Sequence, residues 1–348
     1  MLQDRIEWKW IEAFRAVFEL CEIQSGDPVA ILSETQSRSI NVHLAELALQ
    51  QIGAKAFHVV MPTPPLDAPV AVRSTGSSPI LQKIGPVVSA LKEAAFVADL
   101  SVEGLMHAEE TPEILGAGSR ILYISNEHPE ALERLKADPD LIGRVLAGRK
   151  LMAAGGELRV TSKAGTDLTV SLDGARVGGN LGVAREPGSM ATWAGGICSC
   201  FPARDSVNGV LVLNEGDVNC TFKRYIEKPV ILTIEQDFVS NLEGRGIDAD
   251  LMREYFDAWG DREAYGASHL GWGMNHAARW DSLAMYDKAD TNCIEQRAFA
   301  GNFLYSTGAN PFADRYTLGH FDLPLRNCSI ELNGEVLIDN GELKGALA

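Results

Sequence analysis

Short apolar segments and amphipathic segments alternate through roughly the first 150 residues, and this order constrains the fold more than any other feature of the sequence. Residues 25–34 (SGDPVAILSE) are typical of a turn followed by a buried strand, and residues 56–62 (AFHVVMP) form a second apolar strand. Between them, residues 37–54 begin at a serine, carry a periodic apolar face and end at a glycine, which predicts a helix. Because parallel strands need long crossover connections, this alternation predicts a parallel sheet. A helix is also predicted at residues 1–23. The same pattern continues with helices predicted at 84–94 and 111–119, one or two helices within 128–155, and strands at 95–101 and 120–125.

The pattern changes near residue 155. Residues 156–172 (GELRVTSKAGTDLTVSL) alternate apolar and polar side chains around an AGTD turn, which predicts a β-hairpin. A second hairpin is predicted at the Asn333-Gly334 turn. Further strands are predicted within 195–214 and 228–244, and a helix at 248–264. We therefore predict the fold class α/β plus α+β, with an N-terminal parallel-sheet α/β domain at residues 1–154 and a C-terminal β-rich domain at residues 155–348.

Charge restricts the possible partners. The chain has 31 Lys and Arg residues against 47 Asp and Glu residues, a formal net charge of −16. Without a basic stripe, this balance argues against nucleic acid and against an anionic membrane surface as partners. The first strands are followed by no GxGxxG and no GxxxxGK[ST] motif, which argues against nucleotide binding.

Cysteine usage and the N-terminus predict a cellular setting. The six cysteines include no CxxC pair, the first residues lack the apolar core of a signal peptide, and no run of about 20 apolar residues occurs. These features predict a cytoplasmic protein with free thiols.

A histidine and an aspartate stand two residues apart in YTLGHFDLPLRN, residues 316–327. Because strand side chains alternate, His320 and Asp322 would share one face of a strand. Three interpretations are open at this point: a surface ion pair, a pH-sensitive pair, or two ligands of one metal ion. A third donor is available in SHLGWGMNH, residues 268–276, which contains His269 and His276. Two imidazoles and one carboxylate form the facial set of non-haem Fe(II) sites, and zinc with an open position uses a similar set. Spacing alone does not decide between these interpretations, because His269 is far from His320 in sequence.

Four longer segments carry a family resemblance. They are RVTSKAGTDLTVSL (159–172), FPARDSVNGVLVL (201–213), SHLGWG (268–273) and YTLGHFDLPLRNCSIELNGEVLIDNGEL (316–343). Together they resemble the 2,5-dihydroxypyridine 5,6-dioxygenases of bacterial nicotinate and nicotine breakdown, which are built on the fold of the thermostable metallo-aminopeptidases of the aminopeptidase T type. The resemblance extends over most of the chain and is strongest after residue 155.

The resemblance implies a single iron rather than two metals. The peptidases need glutamates at positions that match Ile197 and Ala267 here, and neither side chain can bind a metal. The HxD element remains, and His269 looks like the addition made by the dioxygenases. The resemblance therefore implies a C-terminal metal-binding domain in which His269, His320 and Asp322 hold Fe(II), with dioxygen as co-substrate.

The resemblance also suggests roles for residues around the metal. His107 matches a histidine of the family's pocket, and His107 and His276 are the candidates for moving protons. The family's pocket histidines in the segment matching PGSMATWAGG (187–196) are replaced here by Ser189 and Thr192, which are expected to hydrogen-bond the substrate. Trp193 and Trp272 are expected to line an apolar pocket. The replaced histidines imply that the iron site is kept while the substrate differs.

The main functional hypothesis is a mononuclear non-haem Fe(II) dioxygenase that opens a hydroxylated aromatic or N-heteroaromatic ring, such as 2,5-dihydroxypyridine or a related compound. The alternative is a metal-dependent aminopeptidase or hydrolase, which predicts zinc or cobalt binding and activity without oxygen. A non-catalytic scaffold predicts no stoichiometric metal. The same three ligands could also hold Mn(II) or Zn(II). The related families assemble into dimers or larger forms, so we expect a homo-oligomer.

Overall fold

The amino-terminal part of the chain alternates helices and strands, as predicted. The computed structural model describes residues 5–65, 69, 78–136 and 138–348. The predicted elements are present, and their ends differ from the predictions by a few residues. They are α1 (Trp8–Leu20), β1 (Pro28–Glu34), α2 (Ser39–Ile52), β2 (Lys55–Met61), α3 (Gly85–Glu93), β3 (Phe96–Leu100), α4 (Thr111–Gly116), β4 (Arg120–Ile124), α5 (Pro129–Arg134) and α6 (Pro139–Ala153).

The remainder of the chain is dominated by strands. Its elements are β5 (Glu157–Ser162), β6 (Asp167–Ser171), β7 (Arg176–Asn180), β8 (Met190–Trp193), β9 (Ile197–Phe201), β10 (Val207–Leu213), β11 (Val218–Asn219), β12 (Arg224–Tyr225), β13 (Val230–Glu235), β14 (Phe238–Gly244), α7 (Ile247–Trp259), β15 (Ala267–Gly273), α8 (Ile294–Ala298), β16 (Phe303–Thr307), β17 (Phe321–Leu325), β18 (Cys328–Leu332), β19 (Glu335–Asp339) and β20 (Glu342–Leu343). The α/β plus α+β class is therefore confirmed.

A five-stranded parallel sheet organises the amino-terminal part, in the order β2-β1-β3-β4-β8. Strand β3 is buried along its whole length, and β1 along all but its first residue. This is typical of parallel strands covered by helices on both faces. The fifth strand, β8, comes from beyond residue 155, so the carboxy-terminal part of the chain completes this sheet.

Two large antiparallel sheets and the two-stranded pair β11-β12 build the carboxy-terminal part. One has eight strands in the order β14-β13-β10-β6-β5-β18-β19-β20, and the other has five in the order β17-β16-β15-β9-β7. Side chains from both sheets and from α7 meet in one core, so the two sheets pack face to face. Both predicted hairpins are confirmed, β5–β6 and β18–β19. Asn333 and Gly334 both have positive φ, as a two-residue turn of the hairpin type requires.

One cavity lies between the carboxyl edge of the parallel sheet and the five-stranded antiparallel sheet. The carboxyl ends of β3, β4 and β8 face the five-stranded antiparallel sheet, and residues from both line the space between them. Ligands of open α/β sheets bind outside the carboxyl ends of the strands, and this cavity lies there. Among the described residues, no helix combines the length and the apolar character needed to cross a membrane.

Candidate metal centre

His269, His320 and Asp322 form one cluster at the base of this cavity. Each offers one ligand atom, and these atoms all lie within 4.8 Å of one another. The Nε2 atom of His269 lies 3.6 Å from Oδ1 of Asp322, and Nε2 of His320 lies 3.3 Å from Oδ2. Across the described ranges, this is the one group of three or more His, Cys, Asp or Glu side chains close enough to share an ion. Two nitrogens and one carboxylate oxygen suit a divalent transition metal.

Neighbouring strands of the five-stranded sheet bring the three residues together. Strand β16 lies between β15, which carries His269, and β17, which carries Asp322. The pairing of β15 with β16 is irregular between Ala267 and Leu270, at the position of His269. Such a bulge changes the direction of a side chain, often beside an active site. His320 immediately precedes β17, so it shares a face with Asp322, as the alternation predicts.

The His320 backbone is held by three hydrogen bonds. Its N–H donates to the Tyr255 hydroxyl at 2.9 Å, and its carbonyl accepts from that hydroxyl and from Thr221 Oγ1, each at 3.0 Å. Tyr255 is 3 % exposed on α7. A ligand whose backbone is fixed in this way has little freedom to leave the cluster.

Asp322 has two partners that the sequence analysis did not identify. Arg297 Nε donates to its Oδ2 at 2.6 Å, and Ser306 Oγ donates to its Oδ1. Burial opposes ionisation of Asp322, but the Arg297 guanidinium and the two imidazoles hold its pKa well below the usual range. The carboxylate is therefore charged at neutral pH, the form that binds metal.

Different signals could have revealed these two partners. Arg297 belongs to the segment CIEQRAF, where three polar residues stand between apolar ones. A cation in such a setting is a candidate for a buried ion pair. Ser306 is the direct cross-strand partner of Asp322 in the β16–β17 pairing, which only the register of the two strands shows.

The imidazole of His269 is neutral at physiological pH. Burial lowers its pKa to about 4, although the Asp322 carboxylate acts in the opposite direction. The rings of His269 and His320 have their centroids 5.7 Å apart. A neutral imidazole is the form that ligates a metal, so the low pKa favours binding over protonation.

The cavity above the cluster has a volume of about 410 Å³. That volume is within the range of small-molecule sites. Its lining mixes apolar side chains with a few polar ones. The apolar residues are Val102, Met106, Met190, Ala191, Ile197, Phe201, Ile294 and Leu304, and the polar ones include Glu103, His107, Tyr123, Thr192, Ser199, Asn292 and Arg297.

His107 lies in the cavity wall opposite the ligands. Its ring centroid is 6.5 Å from that of His320, and burial lowers its pKa to about 3. The loop that carries it is organised by Asp99 at the end of β3. The buried Asp99 carboxylate accepts hydrogen bonds from Ser101 N–H, Ser101 Oγ and Leu105 N–H at 3.0, 2.6 and 2.9 Å. These hydrogen bonds fix the start of the loop that carries His107.

Thr192 also reaches the cavity, but its predicted neighbours do not. Met190, Ala191 and Thr192 of β8 line the cavity. Ser189, just before the strand, and Trp193, at its end, are not among the lining residues. Trp193 is fully buried, stacks edge-on against Phe14 with centroids 4.8 Å apart, and donates from Nε1 to the Leu135 carbonyl. The expected pocket roles of Ser189 and Trp193 therefore have no support in their positions.

Trp272 and His276 also lie away from the cavity lining. Trp272 on β15 is fully buried in the core between the two antiparallel sheets. His276 is exposed on the turn after β15, where partial burial of its ring and, to a smaller extent, the nearby Arg144 lower its pKa. Neither is among the residues that line the cavity beside His269, so the roles predicted for them have no support in these positions.

Ile197 and Ala267 are the two positions at which the sequence resemblance predicts glutamates in the peptidases. Ile197 lines the cavity from β9, and Ala267 is buried at the start of β15. Neither side chain offers a ligand atom to a metal ion.

The fold places the chain among proteins built like the metallo-aminopeptidases. The structure of wild-type AmpT from Thermus thermophilus superimposes with a TM-score of 0.62 at 13% identity, covering 97% of this chain and 99% of that one. At this identity the likeness concerns the fold alone.

The sequence identifies the family. The family model NicX, 2,5-dihydroxypyridine 5,6-dioxygenase, matches residues 9–345. The 2,5-dihydroxypyridine 5,6-dioxygenase of Pseudomonas putida strain KT2440 is 34% identical over 336 residues, 95% of each chain. The structure of 2,5-dihydroxypyridine dioxygenase from the same organism has a TM-score of 0.90, covering 97% of each chain at 34% identity. This chain belongs to the 2,5-dihydroxypyridine 5,6-dioxygenase family, so the predicted resemblance is confirmed.

Proposed function

We propose that this protein is a mononuclear Fe(II)-dependent dioxygenase that opens a hydroxylated N-heteroaromatic ring. His269, His320 and Asp322 hold the metal. The observation that carries the proposal is the convergence of a neutral imidazole, a second imidazole and an ionised carboxylate on one side of a cavity of small-molecule size. The family membership supports the same reaction class.

The donor set fits the proposed metal. Fe(II) sites of this class use two histidines and one carboxylate on one face and leave the other positions open. When bound, Fe(II) would supply Lewis acidity toward a ring hydroxyl and redox chemistry toward dioxygen. The open side of the cluster faces the cavity, so both reactants can reach it.

The residues around the ligands tune and orient them. Arg297 keeps Asp322 ionised and fixes one of its oxygens, while the hydroxyl of Ser306 holds the other oxygen. Arg297 is also the single cation among the described residues that line the cavity. We infer that it favours a substrate with a negatively charged ring oxygen.

The opposite wall would orient the substrate and handle protons. His107 is neutral at pH 7, so a ring nitrogen can accept a proton. An anionic substrate in the cavity would raise the basicity of this nitrogen. Thr192 offers a hydroxyl. Met106 from this wall, together with Phe201 and Leu304 from the antiparallel sheet, would exclude water. A hydroxyl in place of an imidazole at Thr192 indicates a substrate related to 2,5-dihydroxypyridine that need not be identical to it.

The test begins with metal content. We would purify the protein without oxygen, measure bound metals, add Fe(II), and follow oxygen uptake against a panel of hydroxypyridines. We expect about one iron per chain, its loss in His320→Ala, and oxygen consumption with at least one panel member. Two zinc or cobalt ions per chain without oxygen uptake would contradict the proposal and favour the aminopeptidase alternative.

We also propose a cytoplasmic location and a homo-oligomeric assembly. The structure has six free, buried cysteines, which agrees with a reducing compartment. Light scattering after size-exclusion chromatography tests the assembly, and a monomer at micromolar concentration would contradict it.

A further inference from the structure

Glu127, in the turn after β4, is a buried carboxylate directed at the start of α8. It is 1% exposed. Its Oε1 accepts hydrogen bonds from the N–H groups of Asn292 and Ile294 at 2.7 and 3.1 Å. Burial raises the pKa of this side chain, so placing a carboxylate here is costly. A buried carboxylate of this kind is expected where its hydrogen bonds fix a backbone conformation that apolar packing alone would not fix.

The segment that donates these hydrogen bonds to Glu127 has an irregular backbone. Cys293, between its two partners, has a φ of +59°, a conformation that few residues other than glycine adopt. The chain just before it is tied to the same region, because His128 N–H donates to the Asp290 carbonyl at 2.8 Å. Residues 290–294 are therefore fixed to the carboxyl edge of the parallel sheet.

Helix α8 connects this anchor to the metal cluster. Asn292 donates its N–H to Glu127, and its carbonyl accepts from Arg297. Arg297 in turn donates from Nε to Asp322 Oδ2 at 2.6 Å. A continuous chain of polar contacts thus runs from Glu127 through Asn292 and Arg297 to a proposed metal ligand.

We propose that Glu127 is a positioning residue for the metal site: it fixes the start of α8, and thereby the direction from which Arg297 holds Asp322. The inference rests on the proposed function, since it assigns Asp322 as a ligand. Glu127 belongs to the parallel-sheet part of the chain, whereas the three proposed metal ligands lie in the carboxy-terminal part. The first part therefore controls the geometry of a metal centre in the second.

The test compares Glu127→Ala and Glu127→Gln in the full chain with Co(II) as the oxygen-stable probe. We expect Glu127→Ala to weaken Co(II) affinity about tenfold, as loss of a group that orients a metal ligand does. Its visible Co(II) ligand-field spectrum should shift, and hydrogen exchange at residues 292–298 of the metal-free protein should accelerate. Glu127→Gln keeps the Oε1 acceptor, so its affinity should stay within about threefold of wild type.

Asp248→Ala is the matched control. Asp248 is 3% exposed and accepts from Glu227 N–H at 2.9 Å, but neither residue lines the cavity. This variant should lower the melting temperature while leaving Co(II) affinity and spectrum unchanged. If Glu127→Ala does not fold, Glu127→Asp replaces it, because the shorter side chain cannot reach both amides.

Two failures are distinguishable. Wild-type affinity and spectrum in Glu127→Ala would overturn the positioning role while leaving the metal proposal intact. If the wild-type protein binds no Co(II), the metal proposal fails. In that case, unchanged hydrogen exchange in metal-free Glu127→Ala would also overturn the anchoring of α8.

Discussion

The two sides of the cavity are built differently. On the side of the antiparallel sheet, each oxygen of Asp322 has a hydrogen-bond donor, and the His320 backbone makes three hydrogen bonds. On the facing wall, the lining includes Val102, Met106 and His107 from the loop after β3 and Thr192 of β8. The ligand side is fixed by many polar contacts, and the facing wall combines apolar side chains with one imidazole and one hydroxyl.

This difference separates two tasks. A metal site needs ligands held within a few tenths of an ångström, which favours redundant hydrogen bonds. A substrate wall can change by single substitutions without loss of the ligands. We therefore expect substitutions on the ligand side to affect metal binding and stability, and substitutions on the facing wall to affect turnover and substrate binding.

The largest effect is expected for Asp322→Ala. It removes a proposed ligand and leaves the buried Arg297 without its carboxylate, which costs about 3–5 kcal/mol in the free energy of unfolding. Metal analysis and urea unfolding measure the two losses. His320→Ala should lose the metal as well but retain the ion pair, and so lose less stability. Equal destabilisation in both variants would contradict a special role for the ion pair.

A large effect confined to turnover is expected for His107→Gln. If His107 moves a proton, kcat should fall about 100-fold or more, while metal content stays unchanged. Steady-state oxygen uptake with Fe(II)-loaded enzyme is the measurement. His276→Gln is the control and should leave kcat unchanged, because that side chain lies outside the cavity lining. Loss of iron in His107→Gln would place His107 among the ligands and break the division between the two sides.

Stability should depend on pH through His107. Its pKa is about 3 in the folded protein, below the ordinary value of 6.5, so between these values the unfolded chain binds more protons. The buried neutral imidazole of His107 therefore makes its full contribution to the free energy of unfolding above about pH 6.5. This contribution is lost as the pH falls toward 3. Urea unfolding of metal-free protein should show His107→Gln losing less stability than wild type between pH 7 and 4. Parallel profiles would show that His107 is not shielded from water.

The smallest effect is expected for Thr192→Val, which replaces a hydroxyl in the cavity by a methyl group of similar size. Loss of one hydrogen bond to substrate should raise KM about three- to tenfold and leave iron content unchanged. Ser189→Ala changes the residue just before β8, which is not among those lining the cavity, and should leave KM unchanged. An effect of Ser189→Ala as large as that of Thr192→Val would contradict the placement of Ser189 outside the cavity lining.

The sequence predicted the elements of the fold well because local patterns determine them. The helices and strands of the first 150 or so residues follow from apolar periodicity and turn residues, and both hairpins follow from their turn sequences. The proximity of His320 and Asp322 follows from alternation along one strand. These predictions need no knowledge of how distant segments pack.

Other features depend on packing that no local pattern shows. The roles expected of Trp193 and Trp272 fail to match their positions because an apolar side chain suits a core as well as a pocket. Arg297 was missed because its partner lies on another element. His269 reaches the cluster through a strand pairing with an irregular register. Its segment offered both His269 and His276 as possible donors, and the family resemblance selected His269.

The position of β8 in the parallel sheet has a consequence for synthesis of the chain. Strand β4 pairs with β3 on one side and with β8 on the other, and β8 ends at Trp193. While the ribosome has released only the first 150 or so residues, the outer edge of β4 has unpaired amides and carbonyls. Such an edge attracts other strands and promotes aggregation. The nascent α/β part is therefore expected to need chaperone protection until residue 193 emerges, and a fragment truncated at residue 154 should be poorly soluble.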